Sequence, residues 1–218
     1  MIKKIVHKNK ILEDDFNKKD HWEHIYSDKQ SNEVSWYQSC PVYSLDLIRA
    51  TKFNTTAHII DIGGGASTLV DCLLDANYQN ISVLDIAHSA IEQAKLRLGR
   101  RANKVNWIQS DITQFSPTLT FDIWHDRAVF HFLCDEDDRS NYVRVLTHAL
   151  KPDAQVIIAT FSLDGPEKCS GLDIIRYSPE TLSAAIGNTF QLVETNKEEH
   201  LTPSGTSQNF IYCRFIRV

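Results

Sequence analysis

The stretch HIIDIGGGAST, His58–Thr68, ends an apolar run on an acid and follows it with three glycines. Gly63, Gly64 and Gly65 leave the backbone without side chains, which permits a sharp turn and a close approach to a ligand. Asp85, in VLDIA, ends the next apolar run about twenty residues after the glycines, where an acid suits ribose hydroxyls. This is the pattern of a nucleotide-like site, and two details narrow it. The dinucleotide fingerprint wants a third glycine where this chain has Thr68. Asp61 would repel a pyrophosphate but suits a cationic or amino-bearing group. The residues therefore predict an adenosine that carries an amino acid rather than a diphosphate.

Further along, FDIWHD puts His125 and Asp126 at the end of an apolar run, and His131 follows in VFHFL. With His200, these are candidate general bases for an acceptor that arrives protonated. His131 fits a core or supporting histidine equally well. CDEDD, Cys134–Asp138, reads as acids gathered at a helix N-terminus, where the helix dipole favours them, and no metal site is expected. Trp22, Tyr26, Trp36 and Tyr37 form an aromatic group ahead of the glycines; it either shapes a pocket or packs the first helices onto a sheet. Arg127, Phe161, Arg176, Tyr177 and His200 come from segments expected at the rim of the same crevice, where an arginine can pair with an acidic acceptor.

These residues need a scaffold, and the periodicity supplies one. AHIIDI, ISVLDI, KVNWIQSDI, FDIWHD and AQVIIATF are short apolar runs, as in strands buried on both faces. STLVDCLLDA, SAIEQAKLRLG and DEDDRSNYVRVLTHAL have helical spacing, with Ser89 as an N-cap, Gly99 as a stop and Lys-Pro closing the third helix. Alternating strands and helices predict right-handed βαβ units and a doubly wound parallel sheet. SPETLSAAIG is a further helix capped by Ser178 with Pro179 at its first position. FQLVETNKEEHL and TSQNFIYCRFIRV around a Pro/Ser/Gly turn predict a closing β-hairpin. Ahead of the core, a helix over HWEHIYSDKQ and a second started by Pro41, with Val42, Leu45 and Ile48 inward, form a cap behind a charged, aperiodic arm. The expected division is an arm and helical cap over 1–52 and a ligand-binding core over 53–218, one domain overall.

At 218 residues, the chain carries one full-sized core. A net charge of −5 with no dense basic stripe argues against a nucleic-acid partner. No run nears the ~18 apolar residues of a membrane span, and MIKKIVHKNK has no apolar region behind it as a secretory signal would. Five cysteines, far apart in sequence and without a C-x-x-C pair, read as reduced thiols, and the expected location is cytoplasmic.

Taken together, IIDIGGGAST, VLDIA, WIQSDIT, FDIWHDRAVFHFL and ALKPDAQVIIATF resemble the successive motifs of class I S-adenosylmethionine-dependent methyltransferases, from about residue 57 to 162. HWEHIYSDKQSNEVSWYQ is similar to the cap of a bacterial subgroup of small, generic methyltransferases. The resemblance implies a Rossmann-like, seven-stranded sheet with a reversed C-terminal strand. It implies that Asp61 bonds the methionine amino end, and that Gly63, Gly64 and Gly65 pass under the methionine and ribose. Asp85 would hold the ribose hydroxyls and Ile86 would pack on adenine. Asp111 would accept from the adenine amino group with Ile112 beside it. His125 and Asp126 would sit beneath the sulfonium, and Trp36 would cover the cofactor.

The expected activity is methyl transfer to a heteroatom of a small-molecule acceptor. A protein lysine is the alternative acceptor, and a regulatory cofactor-binding module is the non-enzymatic reading. HDRAVF stands where amide and adenine N-methyltransferases carry an Asn/Asp-Pro-Pro-Tyr motif, which argues against nucleic-acid base methylation. Thr68 and Asp61 argue against an NAD-dependent oxidoreductase. The oligomeric state stays open.

Overall fold

Each of the predicted apolar runs becomes a strand. The computed structural model describes residues 17–218, so most of the predicted arm lies outside the described residues. β1 (His58–Ile62), β2 (Asn80–Asp85), β3 (Val105–Gln109), β4 (Phe121–Arg127) and β5 (Leu150–Phe161) pair in parallel. Between them run α3 (Leu69–Asp75), α4 (His88–Leu98) and α5 (Glu136–Ala149). A short ribbon, β6 (Lys168–Cys169) with β7 (Leu172–Asp173), precedes α6 (Pro179–Ile186). The chain ends in a hairpin, β8 (Phe190–Leu201) and β9 (Ser207–Arg217), whose second strand returns antiparallel beside β5. The sheet order is β3-β2-β1-β4-β5-β9-β8. This is the doubly wound, mostly parallel sheet with a reversed last strand.

Alternation along β1 divides the core between the two faces of the sheet. Ile60 and Ile62 pack with Trp124, Tyr142 and Leu146, whereas Ile59 packs with Leu69, Leu73 and Phe161. The order reverses between β1 and β4, and ligands of doubly wound sheets bind outside the carboxyl ends of the strands at such a point.

Two helices precede the sheet. α1 (Lys18–Asp28) is capped by Asn17, so it begins inside what the sequence suggested as arm. α2 (Val42–Ala50) follows Pro41. Its inward face differs from the expected one. Val42 is 53% exposed, while Leu45, Leu47 and Ile48 are buried in the same core as Ile59, because α2 packs on α3 and β5. Thus α2, grouped with the cap by its position in sequence, shares the core of the sheet.

The ends of two other elements also differ from expectation. Ser89 does not cap α4; the carboxylate of Glu23, from α1, accepts the N–H groups of His88 and Ser89 at 2.7 and 2.9 Å. A side chain from a different helix satisfies the orphan donors, and α1 is thereby tied to α4. The Lys-Pro pair lies inside β5 rather than between α5 and the strand. Gly99 stops α4 at φ +56°, and Ser178 makes a capping box on α6. Cys40 and Cys72, far apart in sequence, have their sulfurs 3.6 Å apart. No described helix is long and apolar enough to cross a membrane.

Candidate active site

Parallel strands bring their carboxyl ends to one edge, and that edge collects Asp61, Asp85 and Asp111. Two adjoining cavities open there. The larger holds about 330 Å³ and the smaller about 50 Å³, and Tyr26, Trp36, Ile62, Gly63 and Arg127 line both.

Asp61 and His125 are register partners on β1 and β4. Both are buried, and His125 Nδ1 lies 2.7 Å from Asp61 Oδ1. A carboxylate only accepts, so Nδ1 carries the proton; in the neutral ring Nε2 then accepts from the Ser44 hydroxyl at 2.8 Å. The second oxygen, Asp61 Oδ2, is buried with no hydrogen-bond partner. It lies beside the glycine turn, and Asp61 lines the smaller cavity. An unpartnered buried carboxylate oxygen is costly, and an amino group is a fitting donor for it.

Asp85 is also buried, with each oxygen 2.9 Å from one backbone N–H, that of Gly65 or Ala87. Each oxygen keeps a lone pair for a further donor. Burial pushes its carboxyl up to about 6, against the pull of these N–H groups, and the charges of Asp61 and Glu23 add to the rise. Ile86, Asp111 and Ile112 complete the floor of the larger cavity. Asp111 Oδ1 accepts from both the backbone and the hydroxyl of Thr113 at 2.8 Å, so it also caps its own turn. An acid with spare lone pairs beside an apolar shelf fits a ribose and an adenine ring.

The glycines are also demanded by the fold itself. A Cβ on Gly63 would come within 2.2 Å of Val129, and its φ is +66°. A Cβ on Gly64 would meet Asp61 Oδ2 at 2.2 Å, and one on Gly65 would meet Asp85 Oδ2 and Ala90 at 2.7 Å. The protein's own groups demand these glycines: the turn folds onto its acids and onto the segment after β4.

Four aromatic rings also line the larger cavity. Trp22 meets Trp36 and Phe132 edge to face at 5.7 and 5.1 Å, and the Trp36 indole donates to the Tyr26 hydroxyl at 3.1 Å. Tyr37 borders only the smaller cavity. Phe132 was not singled out from sequence, although VFHFL carried it; Ser44, behind His125, left no signal.

Several sequence candidates are not brought to the cleft. Asp126 is fully buried; Oδ1 accepts from Val129 and Phe130 N–H at 2.9 and 3.3 Å, and Oδ2 from the Tyr142 hydroxyl at 2.7 Å. Burial holds it up at about 6. His131 is fully buried between Phe132 and Phe161, and burial pushes it down to about 3. Neither borders either cavity. These placements correct the expectation of a base beneath the ligand: Asp126 organises the turn after β4, and His131 is a core ring. Phe161 and Tyr177 belong to the core, Arg176 bonds Gly165 and Glu167, and His200 donates to the Ser35 carbonyl at 2.8 Å. None of these four lines either cavity. Arg127 does, but its charge is already met by Glu198 at 3.4 Å.

Among the described residues, no group of three or more His, Cys, Asp or Glu is placed to hold a metal ion. Glu136, Asp137 and Asp138 occupy the first turn of α5.

This sheet order, with acids at the ends of β1 and β2 around a glycine turn, defines a class I S-adenosylmethionine-dependent methyltransferase, with S-adenosylmethionine as cofactor. The chain belongs to the nodulation protein S (NodS) family, whose sequence model matches residues 6–169. It is similar to nodulation protein S of Bradyrhizobium diazoefficiens, with 24% identity over 175 residues, 80% of this chain and 79% of that protein. It is also similar to the eEF1A lysine and N-terminal methyltransferase of Mus musculus, 28% identical over 126 residues, 57% of this chain but only 18% of that protein. The fold matches the crystal structure of N-methyltransferase NodS from Bradyrhizobium japonicum WM9 in complex with S-adenosyl-L-homocysteine. That match has a TM-score of 0.68 and 18% identity, and it covers 89% of this chain and 97% of that one.

Proposed function

We propose that the protein transfers the methyl group of S-adenosylmethionine to a nucleophilic heteroatom of a small molecule. The observation that carries this reading is the aromatic lining: Trp22, Tyr26, Trp36 and Phe132 line the larger cavity together with Asp85 and Asp111. A walled cavity of that size suits a small acceptor better than the surface of a folded protein.

The sulfonium of the bound cofactor supplies an electrophilic methyl group. The chain's own residues would bind and orient. Asp61 Oδ2 would take the amino end, Asp85 the ribose hydroxyls, and Ile86 and Ile112 the adenine faces. The aromatic wall would exclude water and fix the acceptor's approach. Asp126 and His131 border neither cavity, and His125 has both ring nitrogens engaged, so none of them is assigned proton transfer. The acceptor would bring its own lone pair, as a free amine or a thiolate does. The names of the nodulation relatives favour nitrogen. A cytoplasmic location is part of this proposal, since the cofactor and reduced cysteines both suit that compartment.

Labelled S-adenosylmethionine incubated with the protein and cell extract tests the reading. Label in the small-molecule fraction supports it. Label only in protein would move the acceptor to a lysine or N-terminus, the activity named for the mouse relative.

A further inference from the structure

The C-terminal hairpin reaches back to the cap through one buried carboxylate. Glu198, on β8, is 7% exposed although its strand is largely solvent-facing around it. Gln38 donates to its Oε1 at 2.6 Å, and the Tyr212 hydroxyl donates to its Oε2 at 2.9 Å. Arg127 adds its Nη2 at 3.4 Å. The same guanidinium donates through Nε to Tyr212 at 2.8 Å and through Nη1 to the Trp36 carbonyl at 3.1 Å. It lies 4.3 Å from the Phe210 ring centroid. Two residues on from Glu198, His200 holds the Ser35 carbonyl. Residues 35–38 are therefore pinned from β4 and β8, and they carry Trp36, which lines both cavities.

A carboxylate in this setting has a specific physical consequence. Removing water from an acid and an arginine is costly, and the loss is offset only when their hydrogen bonds are well met. Glu198 meets that condition by gathering partners from β4, β9 and the cap at once. The geometry thus gives it a single arrangement, with Gln38 inward and Trp36 beside it facing the cleft. Arg127 is consumed by the same network, so it acts as a strut and not as a clamp for an acidic acceptor.

We propose that Glu198 is a positioning residue for methyl transfer: through Gln38 and Arg127 it holds Trp36 in the wall of the cofactor and acceptor cavities. The proposal rests on the methyltransferase reading above. Its test is calorimetric titration with S-adenosylhomocysteine, combined with thermal unfolding of each variant. Gln38→Ala removes the cap side of the contact without leaving a buried charge unpaired. It is expected to unfold near the wild-type temperature and to bind about five- to tenfold more weakly, the worth of one hydrogen bond. Glu198→Gln keeps the shape and loses the charge, and a similar loss is expected. The decisive comparison is a double-mutant cycle with Trp36→Ala. If Glu198 acts through Trp36, neither substitution weakens binding further once Trp36 is gone. Full additivity would overturn the proposal, as would unchanged affinity in both single variants. Failure of the wild type to bind S-adenosylhomocysteine would instead remove the cofactor assignment, and the proposal with it.

Discussion

Asp61 gives one oxygen to His125 at 2.7 Å and leaves the other buried without a partner. The imidazole, held in turn by Ser44, fixes the rotamer, and Asp61 lines the smaller cavity. This division of one carboxylate between a structural partner and an open position is the centre of the proposed cofactor site. Asp61→Asn keeps the size and removes the charge. It is expected to weaken S-adenosylhomocysteine binding about ten- to hundredfold, the range for a hydrogen bond to a charged group. Calorimetry on the folded variant checks this, and undiminished affinity would take Asp61 out of the site.

Asp85 makes binding depend on pH. Its carboxyl, raised by burial to about 6, takes up a proton as pH falls through that value, and a protonated acid loses acceptor capacity toward ribose. Affinity is expected to be full above pH 7 and to fall by up to about tenfold per pH unit below 6. The stability of the ligand-free fold should run the other way. A carboxyl whose folded value lies above its ordinary 3.8 binds more protons folded than unfolded between the two values, so stability rises as pH falls from 6 toward 4. Titrations across pH 5–8 test both directions. Asp85→Asn should flatten the affinity profile; a variant that kept the wild-type profile would assign it to another group.

Asp126 is expected to matter for stability before chemistry. Asp126→Ala leaves the Val129 and Phe130 N–H groups and the Tyr142 hydroxyl without their acceptor. A loss of about 2–4 kcal/mol in urea denaturation is expected. Wild-type stability with turnover abolished would return Asp126 to the reaction.

Gly63 should tolerate no side chain even in the absence of ligand. Its positive φ and the clash with Val129 predict that Gly63→Ala lowers stability by about 1–3 kcal/mol. Val129→Ala should recover part of this, because it relieves the clash but not the backbone angle. Thermal unfolding of the single and double variants decides it, and full recovery would mean the angle carries no strain.

Sequence alone determined the sheet and its cofactor edge. Apolar runs of strand length, alternating with helical ones, allow little besides parallel βαβ units, and parallel strands must bring their carboxyl ends together. Asp61, Asp85 and Asp111, each at the end of such a run, therefore meet without any long-range information. Tertiary structure alone decided which neighbours of those acids reach the cleft. His125 and Asp126 are adjacent in sequence, and a strand points adjacent side chains to opposite faces. One meets Asp61, and the other is buried against Tyr142 by the packing of α5. The same holds for the cap. Glu23 reaching α4 and Glu198 reaching Gln38 span 65 and 160 residues of chain, and no local pattern encodes such contacts. The first ties α1 to α4; the second exists because the folded sheet brings its last hairpin beside the cap, where the buried Glu198 must find partners.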